Sequence, residues 1–155
     1  MKVQTLCLVR KGDQILLGMK KRRFGTGKWN GFGGKLHVGE TIEKALVREI
    51  KEEIGIVAKR SDLNKVGDLR FKFKDGTKIK VHVFTLAAWS GEPKESEEMA
   101  PKWFHVNDIP FHAMWPDDKH WLPLVLSGKK VEAVFHFTED ASDFEHMEVR
   151  EVREV

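Results

Sequence analysis

A strand-rich mixed α/β (α+β) domain is what this 155-residue chain predicts, on three observations. Most apolar runs are short and bounded by turn residues. Only two segments read as helices. No strand–helix–strand alternation recurs between them, so a regularly wound parallel sheet is not expected.

In order, Val3 to Val9 and Gln14 to Met19 read as two strands around a Lys11-Gly12-Asp13 turn. Lys20 to Asn30 is a basic, glycine-containing loop. Gly33 and Gly34 permit a tight path into the first helix, Ile42 to Ile54, with Thr41 as N-cap and Gly55 as a left-handed C-terminal cap. Lys65 to Phe73 alternates as a strand should, and Asp75-Gly76 is a hairpin signal leading into Lys78 to Trp89. Ser90 to Pro101 is polar and reads as the most mobile loop, before a short strand at Trp103 to Val106. Asn107 to Met114 reads as an irregular or short helical turn. Pro116 is placed to open a second helix reaching about Leu126, which Gly128 ends. Val131 to Phe137 and Phe144 to Val152 form a last hairpin.

Composition narrows the class. One domain over residues 1–155 is expected, large enough for a real core. Twenty-seven basic against 24 acidic residues leave a net charge of +3, which gives no bulk grip on nucleic acid, so no nucleic-acid polymer is expected as partner. Lone Cys7 excludes an internal disulfide and suits a reducing compartment. No signal peptide or membrane-length apolar run is visible, so a soluble cytoplasmic monomer is the expectation, with nucleus or mitochondrion also compatible. The seven histidines are scattered, which argues against zinc.

The chain is organised around Gly34 to Ile56. At 100° per residue, Ile42, Leu46, Ile50 and Ile54 form an inward stripe, and Glu49, Glu52 and Glu53 fall on its edge. Glutamates so placed repel one another, oppose the helix dipole and lose water. A hard divalent cation with oxygen ligands, Mg²⁺ or Mn²⁺, answers all three costs. On their own the three acids read more readily as a solvated patch. The flanks decide the matter: Gly34, Glu40, Arg48, Glu49, Ile50, Glu52, Glu53, Gly55 and Ile56 fill Gly-x5-Glu-x7-Arg-Glu-U-x-Glu-Glu-x-Gly-U, with U apolar. This stretch resembles the Nudix box. The resemblance implies a mixed sheet sandwiched between helices and cleavage of a nucleoside diphosphate linked to another group, using metal held by this helix.

Outside the box, Lys20 to Arg23 reads either as a solvated loop or as an attractor of polyphosphate. Among Glu95, Glu97 and Glu98, the family's habit of recruiting an extra glutamate points to Glu98. Phe24, Trp29 and Phe71 read as core, whereas Phe73 is allowed to face a pocket. Trp115-Pro116-Asp117-Asp118-Lys119-His120-Trp121 puts two carboxyls and an indole on one helix face, a flat apolar partner and polar edge suited to a purine. The Lys20-Lys21-Arg22 run, Lys28 to Lys35, Val81 to Phe84 and Trp115 to Asp118 together resemble the animal Nudix subfamily that hydrolyses oxidised purine nucleoside triphosphates. Ile79-Lys80 stands where that subfamily usually has Met-Asp. The hairpin tip Lys74 to Thr77 and the stretch Phe144 to Glu148 also diverge.

By matching position the resemblance implies Mg²⁺ on the Gly33 carbonyl, Glu49, Glu52, Glu53 and Glu98. Thr5, Lys20, Asn30, Phe32, Gly33, Gly34, Lys35, Phe73, Trp115, Pro116, Asp117 and Asp118 would line the substrate site. Asn30 would meet the base edge, opposite Asp117 and Asp118, with Trp115 stacking. Glu53 would be general base, with Glu98 its rival, and Arg48 would orient the carboxylates. A small-molecule nucleotide such as 8-oxo-dGTP or 2-hydroxy-dATP is the expected substrate. Alternatives are a dinucleoside polyphosphate, a capped RNA 5′ end, or a catalytically silent nucleotide- or RNA-binding domain.

Overall fold

The expected first hairpin forms: β1 (Lys2–Lys11) and β2 (Gln14–Lys20) pair antiparallel, Lys11 opposite Gln14, through a turn in which Gly12 takes a left-handed conformation. The computed structural model describes all residues, Met1–Val155. Eight strands make one mixed sheet. Its order is β3 (Trp29–Asn30), β2, β1, β5 (Lys78–Leu86), β4 (Leu63–Lys72), β7 (Lys130–Phe137) and β8 (Phe144–Val152), while β6 (Met99–His105) pairs along β2. The pairs β1–β5 and β4–β7 are parallel and the others antiparallel.

Helices α1 (Ile42–Ile54) and α2 (Asp118–Leu126) cover opposite faces. Side chains alternate along each strand, so neighbours serve different cores. Cys7, Val9, Leu16, Phe84 and Leu86 pack with Leu46, Ile50 and Ile54 of α1. Leu8, Ile15, Leu17, Val83 and Phe135 pack with Trp121, Leu122 and Val125 of α2. Neither helix is long and apolar enough to cross a membrane.

Four boundaries differ from expectation. The polar stretch expected as loop through Pro101 gives Met99, Ala100 and Pro101 to β6, opposite Lys20, Met19 and Gly18. Met99 is 3% exposed and fits because Gly18 lacks a Cβ, which would stand 2.5 Å from its Cγ. Trp29 and Asn30, expected in the basic loop, pair with Met19 and Gly18. Lys78 to Trp89 ends as a strand at Leu86, and Ser90 instead bridges Val57. The second helix begins at Asp118, two residues beyond Pro116. Phe24, expected in the core, is 81% exposed because the loop carrying it stands off the sheet; Phe71 packs on Phe135 and Phe137 as expected.

Candidate active site

Helix α1 is held at both ends as its sequence requires. Thr41 Oγ1 accepts from the Lys44 N–H (3.2 Å), and Gly55 (φ 75°) donates to Lys51 O (3.0 Å). Between those caps the apolar stripe fixes the helix's rotation, and that rotation distributes the acids. Glu53 is 4% exposed and Glu49 nearly buried, while Glu52, on the outer margin, keeps 56% of its side chain in solvent.

No three His, Cys, Asp or Glu side chains converge on a common point: Glu49 and Glu52 share Arg48, while Glu53 takes a backbone N–H. Glu53 Oε1 accepts from the Gly33 N–H (2.8 Å). Its carboxyl is pushed up to about 8, first by burial and then by the Glu49 charge, against the opposing Gly33 bond. Burial also raises Glu49, although Arg48 opposes the shift. Arg48 donates to Glu49 (3.0 Å) and Glu52 (3.3 Å), but its shortest bonds are bidentate to Glu40 (2.7 and 2.9 Å), and it also holds Lys35 O (3.1 Å). The guanidinium bonds take the Glu40 carboxyl down to about 2. Sequence reasoning used Glu40 only as a motif position; the structure makes it the anchor of Arg48.

The glycines let backbone approach the acids. A Cβ on Gly33 would stand 2.0 Å from Thr5 O, and one on Gly34 would meet the Glu49 carboxyl at 2.9 Å. Thr5, 4% exposed, bonds the Gly34 backbone through Oγ1. Phe32, expected among the substrate residues, has its ring wholly buried in the α1-side core, so it acts there through packing. Lys35 is exposed beside Gln4.

The second half of the candidate site lies at the start of α2. Asp117 Oδ2 accepts from the Trp121 indole N–H (2.9 Å) and does not cap the helix. Trp121 is 1% exposed, so the expectation that its ring offers a face to a base fails: its job is to hold Asp117. Both acids are 4% exposed, and Asp118 Oδ2 is buried without a hydrogen-bond partner. Burial raises both carboxyls. Asp118 rises furthest because the charge of Asp117 adds to it, whereas the indole bond stabilises ionised Asp117. Two such carboxyls cannot both ionise cheaply, so the pair favours holding one proton between them.

Loop residues 20–28 join the halves. Glu53 feels the charge of half-buried Lys20, and Gly25 lies against both Lys20 and Trp115. Lys28 Nζ sits 5.1 Å over the Trp115 ring, whose other neighbour is the exposed Phe24 ring at 5.1 Å. Asn30 is half-buried, with Oδ1 accepting from the Gly31 N–H (2.8 Å). Phe73 stacks on Phe137 at 5.0 Å. Lys28 and Phe24 were not singled out as site residues from sequence; their places in a basic, glycine-spaced loop were the only signal. Two depressions of about 320 and 390 Å³ lie elsewhere, around Asp68 and Arg150 and around Arg10 and Lys130, and contain none of these groups.

A mixed sheet between two helices, one carrying clustered glutamates behind a glycine turn, defines a Nudix domain. The family profile described as NUDIX domain matches residues 2–125, and the chain belongs to that family. Nudix hydrolases work with a divalent metal. Among its relatives, oxidized purine nucleoside triphosphate hydrolase of Danio rerio is 49% identical over 137 residues, covering 88% of this chain and 86% of that protein. The Mus musculus protein of the same name is 47% identical with the same coverage. The crystal structure of a MutT protein from Bacillus halodurans superposes with a TM-score of 0.83 at 28% identity, over 96% of this chain and 97% of that one.

Proposed function

We propose that this protein hydrolyses oxidised purine nucleoside triphosphates, 8-oxo-dGTP and 2-hydroxy-dATP among them, to the monophosphate and pyrophosphate, in a single domain spanning residues 1–155. The observation that carries the reading is the buried acid pair. Asp118 Oδ2 has no partner within the protein, although a buried polar atom left so costs about 1–3 kcal/mol. A protonated carboxyl donates and an ionised one accepts, so Asp118 and Asp117 together offer both functions to a purine edge. The names of the two animal relatives support oxidised purines as the bases.

The donor set on and around α1 fits a hard divalent cation. Glu49, Glu52, Glu53 and Glu98, with the Gly33 carbonyl, supply only oxygen, and Glu53 is buried with a single N–H for company. Mg²⁺ is the proposed ion, with Mn²⁺ a substitute. When bound, the ion neutralises polyphosphate charge and acidifies water for in-line attack on phosphorus. With an ion held there, Glu53 would take the proton of the attacking water, and Glu98 is the second candidate base. Arg48, fixed by Glu40, keeps Glu49 and Glu52 turned toward the site. Lys20 meets the phosphates, Trp115 stacks on the base, Pro116 shapes its edge, and Asn30 bonds the base opposite the acid pair. Thr5, Gly33, Gly34 and Lys35 form the wall next to the sugar and phosphates, Phe32 supports that wall through packing in the α1-side core, and Phe73 closes the apolar side.

Pyrophosphate release from a panel of normal and oxidised dNTPs with Mg²⁺ tests the proposal. A preference of tenfold or more for oxidised purines is expected; equal rates on dGTP and 8-oxo-dGTP would refute the base specificity.

A further inference from the structure

The basic run Lys20 to Arg23 follows a pattern that attracts phosphate, yet in the folded chain two of its members face acids. Lys21 is anchored: its N–H donates to Glu98 O (2.9 Å), and its ammonium contacts Glu95 (2.5 Å) and Ser96 O (2.8 Å). Ser96 Oγ in turn accepts from the Glu98 and Met99 N–H groups. This staple sets where Glu98 stands. Arg22 is held differently. Its Nη1 and Nη2 lie 3.5 Å from Glu97 and Glu98, with side chains 46, 88 and 40% exposed in turn. Contacts so long and so wet are individually weak.

That weakness contrasts with the other cation of the carboxylate cluster. Arg48 touches Glu49 and Glu52 but is bolted to Glu40 and Lys35 O, so it stays when those acids acquire another partner. Arg22 has no buried second anchor. A divalent cation on Glu98 would displace it by charge repulsion and by taking its acceptor. The displaced guanidinium would then stand within a side chain's reach of the triphosphate bound to that same cation, a planar fork suited to phosphate oxygens.

We propose that Arg22 is an exchangeable counter-ion: it neutralises Glu98 in the cation-free enzyme and passes to the substrate's triphosphate once a divalent cation takes Glu98. The inference rests on the reading of Glu98 as a metal ligand and adds to it a residue with two successive partners. Its signature is a pair of opposed effects. Because Arg22 competes with the cation and assists the nucleotide, removing it should strengthen one affinity and weaken the other.

The test uses Mn²⁺ as probe, with free ion followed by electron paramagnetic resonance, and KM for 8-oxo-dGTP at saturating Mg²⁺. Arg22→Met should bind Mn²⁺ about two- to fivefold more tightly, the range an exposed ion pair commands. Its KM should rise several-fold with kcat little changed, and Arg22→Lys should recover part of both shifts. Glu97→Gln, which removes only the outer partner, should leave Mn²⁺ affinity unchanged. Weaker Mn²⁺ binding by Arg22→Met would mean that Arg22 merely positions Glu98, and an unchanged KM would mean that it never reaches the triphosphate; either overturns the exchange. Glu98→Gln separates the two levels. If it weakens Mn²⁺ binding while Arg22→Met has no effect on it, the exchange fails alone. If Glu98→Gln leaves Mn²⁺ affinity intact, the metal-ligand reading fails and the exchange with it.

Discussion

Glu53 concentrates the most chemistry in one side chain, and its burial has a cost that pH should reveal. Its folded-state pKa of about 8 stands above the ordinary glutamate value of 4.5, so protonated Glu53 is the form the metal-free fold prefers. The stability it contributes is therefore fully present below pH 4.5 and lost as pH rises through 8. In metal-free buffer, Glu53→Gln should match the wild-type Tm near pH 4.5 and exceed it above pH 8. A constant Tm difference across that range would refute the buried-charge account. The same substitution should reduce turnover by at least ~10²–10⁴-fold in a folded protein, because the proposed base and the proposed ligand are lost together. At the other half of the site, Asp117→Asn should change kcat/KM for 8-oxo-dGTP and 2-hydroxy-dATP by different factors, since it removes the exchangeable proton between the acids. Asp118→Asn should weaken nucleotide binding while sparing Mn²⁺ affinity. Equal losses on both oxidised substrates and on dGTP, or no losses, would reduce the pair to a structural role. Sequence spacing located these acids because helical geometry needs only residue numbers. It misassigned Trp121, because whether an indole faces solvent or core depends on the strands beneath it, among them Phe135 and Val131.

Helix α1 and the turn before it illustrate what local pattern can and cannot specify. Thr41, the apolar stripe and Gly55 give the same limits from sequence and from coordinates, since caps and period are properties of neighbouring residues. Thr41→Ala should cost about 1 kcal/mol in urea unfolding. Gly33→Ala should cost more than about 3 kcal/mol, because the new methyl meets a backbone carbonyl that no rotamer change can move. A loss under 1 kcal/mol would mean that the turn is looser than its 2.8 Å bond to Glu53 implies. The start of strand β6 was hidden for the opposite reason. Its first residues, Met99 to Pro101, follow a polar run, and only the cleft left by Gly18, some eighty positions earlier, makes a strand of them. Arg22's partners were invisible in the same way, since the basic run and the acidic loop meet only when β2 and β6 pair.

At the scale of the whole molecule, the alternation within β1, β2 and β5 ties the two cores together. Leu8 belongs to one and its neighbours Cys7 and Val9 to the other, so neither face can loosen while the other stays packed. A single unfolding transition is expected, coincident by far-UV circular dichroism and tryptophan fluorescence. Leu8→Ala and Ile50→Ala, in different cores, should each lower the unfolding free energy by about 2–5 kcal/mol without splitting the transition. Two resolved transitions would contradict the single-domain reading. The fold class was legible because strands outnumber helices in any reading of the apolar runs; the strand order was not, since on the side away from its hairpin partner β2, β1 chooses β5 over the nearer β3 and β4. That choice has a consequence for biosynthesis. Thr5 must wait for His82 to emerge before it gains its parallel partner. At ~5–20 residues per second this leaves the apolar β1–β2 hairpin half-paired for several seconds on the ribosome. Chaperone contact on the nascent chain should therefore centre on Leu6 to Leu17, and chains stalled before Leu86 should be the aggregation-prone ones.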